Sequence, residues 1–146
     1  MNPEPASDTA ASSPTLRPLT VLIVDDSAMM RAMIKRVTAL CDVPIGQVYE
    51  AANGAEAIKI LEAQDVDALF TDINMPVMTG TELLRAISGN ERWRDLVRVI
   101  ISTDGSEARR LEVKDLDVRL YVEKPFRPEV MRDVLYNLSA TNTHVC

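Results

Sequence analysis

Four groups of residues in this chain carry side chains suited to chemistry, and each stands where an apolar run stops. Asp25 and Asp26 follow "LTVLIV", Asp72 follows "ALFT", Ser102-Thr103 closes "VRVIIST", and Glu123-Lys124 closes "VRLYVEK". A carboxylate can act as a nucleophile towards phosphorus and form an aspartyl phosphate. Three carboxylates gathered in one crevice repel one another and need a cation to stay ionised. A hard divalent ion with oxygen ligands, Mg²⁺, is the simplest answer. With Lys124 added, the charges of such a site would cancel. Each residue alone also has a plain reading: an acidic pair is a turn or a helix cap, and Asp-X-Asn is common in turns. The chemistry rests on whether the fold brings them together.

The runs themselves predict the elements that would do so. Residues 19–25, 47–52, 67–71, 97–102 and 118–123 read as short strands, the first as a continuous apolar run suited to burial on both faces. Helical patterns lie between and after them. Ser27 is a candidate N-cap for the first helix, with Met30, Met33, Ile34, Val37 and Cys41 on one face. Met29, Met30 and Met33 are read as core filling. Asn53 and Glu56, then Thr79 and Glu82, have capping-box spacing. Ala57, Ile58 and Leu61 point inward from the second helix. Asp104 and Glu107 would box the fourth helix, whose thin apolar face is Ala108 and Leu111 with Val113 or Leu116. Pro128 opens the fifth helix, with Val130, Val134, Leu135 and Leu138 inward. Trp93 is expected to cover the core edge before the fourth strand. Alternating strands and helices predict an α/β fold: an open, doubly wound parallel sheet with helices on both faces. Chemistry in such sheets gathers at the carboxyl ends of the strands.

The four motifs, in this order, resemble the receiver domain of two-component response regulators. "VLIVDDSAMMR" is similar to the family's acidic pair and first helix, "TDINMPVMTG" to its acceptor loop, "VIIST" to its switch hydroxyl and "YVEKPF" to its lysine–proline signature. The resemblance covers residues 19–139 and is to receivers of the chemotaxis type that stand alone. It implies a flavodoxin-like five-stranded sheet of order 2-1-3-4-5. It further implies that Asp72 accepts the phosphoryl group and that Asp25, Asp26, Asp72 and the Asn74 backbone carbonyl hold Mg²⁺, with Mn²⁺ a possible substitute. Thr103 would bond the phosphoryl oxygens, Lys124 would pair with them, and Tyr121 would be the aromatic that turns inward. The Lys124-Pro125 bond is cis in the family, although trans is the commoner state of any X-Pro bond. The implied partners are a histidine kinase or histidine phosphotransferase and a downstream protein bound by the face of helix 4, strand 5 and helix 5. A monomer is implied, with a dimer on phosphorylation open. Such a protein is a signalling switch and catalyses only its own phosphorylation and dephosphorylation.

Two positions depart from the family pattern. Asp104 stands where a small residue usually follows the switch hydroxyl, and its charge could slow small anionic phosphodonors. "LDVRL" replaces a common Gly-Ala before the fifth strand, with the preceding helix one residue short. Two other outputs compete with a binding switch. One is a phosphorelay intermediate or phosphate sink. The other is an aspartate-nucleophile phosphatase, disfavoured because Asn74 occupies the place of its second aspartate. A flavodoxin-like FMN carrier would need a Ser/Thr-rich loop where this chain has Asp25-Asp26.

The whole chain agrees with that range. Its 146 residues suit one domain, and 47% hydrophobic with 26% charged residues is an ordinary globular composition. A net charge of −6 argues against nucleic acid or an anionic membrane as partner. Two cysteines, Cys41 and Cys146, make no disulfide framework and fit a cytoplasmic location. Residues 1–18, rich in Pro, Ser, Thr and Ala without an apolar stretch, read as a flexible tail, and 140–146 as a short polar one.

Overall fold

The computed structural model describes residues 18–144, with side chains through 138; the expected tail at 1–18 therefore lies almost wholly outside the described residues. Five strands form one parallel sheet: β1 (Leu19–Val24), β2 (Ile45–Ala51), β3 (Ala68–Thr71), β4 (Val97–Ser102) and β5 (Val118–Glu123), in the order β2-β1-β3-β4-β5. The helices are α1 (Ala28–Leu40), α2 (Gly54–Ala63), α3 (Gly80–Ile87), α4 (Glu107–Glu112) and α5 (Pro128–His144), with a short 3₁₀ turn at Glu91–Trp93. Fold class and strand order are those expected; β4 and β5 have the expected bounds, and β1, β2 and β3 differ from theirs by one or two residues at an end.

The central strands explain themselves. Every residue of β3 and β4 is buried, as is all of β1 except the half-buried Thr20, because helices cover both faces. Alternate residues feed two core layers. Val21, Ile23, Phe70, Val99 and Ile101 pack with Ile34 of α1 and Met131, Val134, Leu135 and Leu138 of α5. Leu22, Val24, Leu69 and Ile100 pack on the other side with Ala57 and Leu61 of α2 and Leu83, Leu84 and Ile87 of α3. Trp93 is half-buried against this second layer and donates from Nε1 to the Leu61 carbonyl, 3.4 Å away.

Caps fix where the helices begin. The Ser27 hydroxyl accepts from Met30 N, Asn53 from Glu56 N, and Thr79 forms a full reciprocal box with Glu82.

Several expectations need correction. The N-cap of α4 is Ser106, not Asp104; the Asp104 carboxylate instead accepts from Ser106 N at 3.1 Å. None of the six residues of α4 is buried, and its predicted face is turned out, with Leu111 57% exposed. Val113 and Leu116, just beyond the helix, supply the core contacts instead. Met29 (83% exposed) and Met33 (41%) are surface residues, since Ile34, Met30, Val37 and Cys41 already complete the buried stripe of α1. Finally, α5 continues to His144, into the segment read as a tail, because no Gly or Pro interrupts residues 129–144.

Candidate functional site

Parallel pairing places the strand ends side by side. Val24 is in register with Thr71, and the ladder runs one step further through Asp72 N, which donates to the Val24 carbonyl at 2.9 Å. Asp25 and Asp72 are thereby neighbours at the carboxyl edge. On the other side Ser102 pairs with Glu123, and Lys124 N donates to the Ser102 carbonyl at 2.8 Å, so Lys124 reaches the same edge. The Lys124-Pro125 peptide bond is cis, as the family resemblance implied and against the general preference for trans.

The centre of the site is an ammonium between two carboxylates. Lys124 Nζ lies 2.9 Å from Asp25 Oδ2 and 3.0 Å from Asp72 Oδ2. All three side chains are nearly enclosed, at 9%, 2% and 12% exposure. Burial pulls the Lys124 pKa down, but the hydrogen bonds and charges of Asp25 and Asp72 outweigh it and hold the group above its usual 10.5. The second oxygen of each carboxylate is also engaged. Asp25 Oδ1 accepts from Ser27 N at 2.9 Å, and Asp72 Oδ1 from Ile73 N at 2.6 Å.

Asp26 completes the acidic group from the exposed side, with one carboxylate oxygen from each of Asp25, Asp26 and Asp72 within 4.8 Å of the others. Three carboxylates against one ammonium leave two negative charges. Clustered, purely oxygen donors with that residual charge fit a hard divalent cation.

Two contacts that sequence reasoning missed hold this arrangement. Arg31 Nη1 donates to the Asp25 carbonyl at 2.6 Å, while its Nε bonds Glu50 Oε1 at 3.0 Å. It thus ties the acidic turn to β2, and an arginine on the helix that follows the acidic pair was the available signal. Gly80 packs directly on the Asp72 backbone, its N donating to the Ile73 carbonyl at 2.8 Å. Its place in a Thr-Gly turn hid that contact.

The remaining predicted residues stand further out. Thr103 follows β4 with an exposed side chain, and among the described residues no hydrogen bond joins it to Asp72 or Lys124. Asn74 is exposed, two residues beyond Asp72 in the same loop. Tyr121 is half-buried on β5; its ring packs on the second core layer and its hydroxyl donates to the Asp104 carbonyl. Asp104 itself is tied back by Ser106, through its hydroxyl and its N, and by Arg109 Nε at 3.0 Å, and these hydrogen bonds hold its carboxyl below the usual range. The Asp104 charge, read from the sequence as one that could slow small anionic phosphodonors, is thus paired with Arg109.

A doubly wound parallel sheet that gathers an acidic cluster and a lysine at its carboxyl edge is one class of signalling domain. The family model described as "Response regulator receiver domain" matches residues 21–136, and the chain belongs to that family. It is 34% identical over 124 residues to a chemotaxis protein CheY homolog of Campylobacter jejuni, a match covering 84% of this chain and 94% of that one. To the chemotaxis protein CheY1 of Helicobacter pylori it is 35% identical over 123 residues, covering 84% and 98%. The solved structure of Vibrio cholerae chemotaxis protein CheY4 superposes with a TM-score of 0.73 at 29% identity, covering 84% of this chain and 99% of that one. The protein is thus a CheY-type response regulator receiver of two-component signalling. Among the described residues no helix is long and apolar enough to cross a membrane.

Proposed function

We propose that this receiver, taken as residues 19–139, accepts a phosphoryl group on Asp72 from a histidine kinase or histidine phosphotransferase and then changes what it binds. The observation that carries the reading is Lys124 Nζ bridging Asp25 and Asp72 beside the exposed Asp26. Asp25, Asp26, Asp72 and the Asn74 carbonyl would hold Mg²⁺, or Mn²⁺ in its place. Bound there, the ion supplies charge neutralisation for the phosphoryl oxygens.

In the transfer, a carboxylate oxygen of Asp72 forms the new bond to phosphorus as the P–N bond of a phosphohistidine breaks, and the imidazole leaves with the electron pair. Ile73 N and Lys124 hold the Asp72 carboxylate in one orientation, so the nucleophile is positioned before the donor arrives. Lys124 then faces the added negative charge, and Thr103 lies at the same edge to donate a hydrogen bond to it. Hydrolysis breaks the same P–O bond and returns the carboxylate with inorganic phosphate. The protein is in this reading a cytoplasmic switch, a monomer or a dimer on phosphorylation, and not an enzyme acting on another substrate. Its relatives are named as chemotaxis proteins, which favours a chemotactic target, and the α4–β5–α5 face is the surface we propose it binds.

The test is intact mass after incubation with a small phosphodonor and Mg²⁺. The reading predicts one phosphoryl increment in the wild type and none in Asp72→Asn. An increment retained by Asp72→Asn would refute it.

A further inference from the structure

The segment between β4 and α4 is clamped onto Tyr121 by the chain's own charged groups. The Tyr121 hydroxyl donates to the Asp104 carbonyl. The Asp104 carboxylate is gripped by Arg109 Nε at 3.0 Å, and Arg109 Nη1 also bonds Glu112 at 2.9 Å. The neighbouring Arg110 lies over the Tyr121 ring, its guanidinium carbon 4.4 Å from the ring centre. Its Nε donates to the Gly105 carbonyl at 3.2 Å, and its other end is 3.8 Å from Glu123. Gly105 fits against Glu123 so closely that a β-carbon there would stand 2.3 Å from the carboxylate.

Each of these contacts is made within residues 104–123, and none involves Asp25, Asp72 or Lys124. A ring held by a hydrogen bond at its edge and a cation on its face has little freedom to swing out. Burial, with the nearby Asp104 charge, also keeps the hydroxyl protonated and able to donate by raising its pKa above 10.0. The weak anchoring of α4, which buries no residue of its own, makes these arginine contacts a large share of what fixes the segment.

We propose that Arg109 and Arg110 are positioning residues that hold Tyr121 turned inward through residues 104–106. The ring orientation is then set mainly by α4 and only secondarily by a group on Asp72. The proposal rests on the receiver reading for the meaning of that orientation, but the orientation itself can be measured independently.

The test uses the full chain labelled with fluorotyrosine, the Tyr121 resonance being assigned from Tyr121→Phe. Arg110→Ala is expected to raise the outward-to-inward ratio about two- to fivefold, the value of one exposed cation–π contact. Arg109→Ala, which releases Asp104, should move the resonance the same way. Arg110→Lys, which keeps a cation over the ring, should restore most of the wild-type position. Leu111→Ala, an exposed neighbour on the same helix, should leave it unmoved. A Tyr121 resonance unchanged by both arginine substitutions, or moved as far by Leu111→Ala, overturns the proposal. With Mg²⁺ and beryllofluoride the wild-type resonance should move less than that of the double arginine variant; a shift that is present and equal in both also overturns it. If beryllofluoride moves no resonance in any variant while the arginine substitutions still shift Tyr121, the phosphoryl reading fails and the positioning proposal stands.

Discussion

Gly80 and Asp72 are in direct backbone contact: a β-carbon on Gly80 would lie 1.9 Å from the Asp72 carbonyl oxygen and 2.9 Å from its carbonyl carbon. Both atoms are backbone, so neither can rotate away. The start of α3 is thereby a fixed stop behind the acidic site.

Gly80→Ala should therefore displace Asp72 rather than simply loosen the helix. A displacement near 1 Å at a reacting group can cost on the order of a hundredfold in rate. We expect phosphodonor labelling to slow by at least about tenfold in Gly80→Ala while the circular dichroism of a folded α/β domain is kept. Labelling at the wild-type rate would show that the contact is relieved elsewhere.

Lys124 makes a prediction about both stability and pH. Removing one partner of a fully buried pair costs about 3–5 kcal/mol; the mouth of this site is open at Asp26, so about 2–3 kcal/mol is expected for Lys124→Ala at neutral pH. Added Mg²⁺ should recover more stability in that variant than in the wild type. Because the folded-state pKa of Lys124 is raised above 10.5, its charge stabilises the fold fully below that value. The contribution is lost as pH climbs through the higher folded pKa. The gap between wild type and Lys124→Ala in urea unfolding should be level from neutral pH to about 10 and shrink above it.

Val77 lies in the loop beyond Asp72 with φ +67, and Met78 N donates to the Pro76 carbonyl at 2.7 Å across it. This is a three-residue turn centred on a β-branched side chain at positive φ, a strained combination. The side chain is 82% exposed, so nothing is packed to compensate. Val77→Gly should stabilise the protein by about 1 kcal/mol, since glycine adopts a positive φ without steric cost. An unchanged or lower urea midpoint would contradict the assignment of strain.

Asp117 explains the departure before β5. It adopts φ +59 and its Oδ2 accepts from Arg98 Nη1 at 3.2 Å, Arg98 being only 3% exposed. The residue both tolerates the left-handed turn and partners a buried guanidinium. Asp117→Ala should cost about 2 kcal/mol, from strain together with an uncompensated charge. Asp117→Gly should cost about 1 kcal/mol less, because the strain alone is removed. Equal losses in thermal unfolding would show that conformation plays no part.

The sheet was legible because β1, β3 and β4 are buried on both faces and so read as unbroken apolar runs ending in polar residues. Asp25 and Asp72 were legible for the same reason: each is the residue at which such a run stops, whereas Lys124 follows Glu123 after the half-buried β5 and was legible from its place in the lysine–proline motif. The α4 region was not. Its register depends on Val113 and Leu116 packing beyond the helix, and on Ser106 taking the cap that Asp104 could also have filled. Two cap-forming residues a single glycine apart are equivalent in a sequence; Arg109 engages Asp104 and leaves the cap to Ser106. Arg31 and Gly80 escaped notice because both act on backbone atoms of the site; only the place of Arg31 on the helix after the acidic pair pointed to it. Met29 and Met33 misled because a helical stripe fixes a direction but not its width.

The central claim is that Asp72 is the nucleophile, and the bond it forms can be trapped. After labelling with a phosphodonor and Mg²⁺, borohydride reduces an aspartyl phosphate to homoserine, which peptide mass spectrometry places in the chain. The account predicts homoserine at position 72 and at no other aspartate. Homoserine at Asp25 or Asp26, or none in a protein carrying the phosphoryl mass, would contradict it.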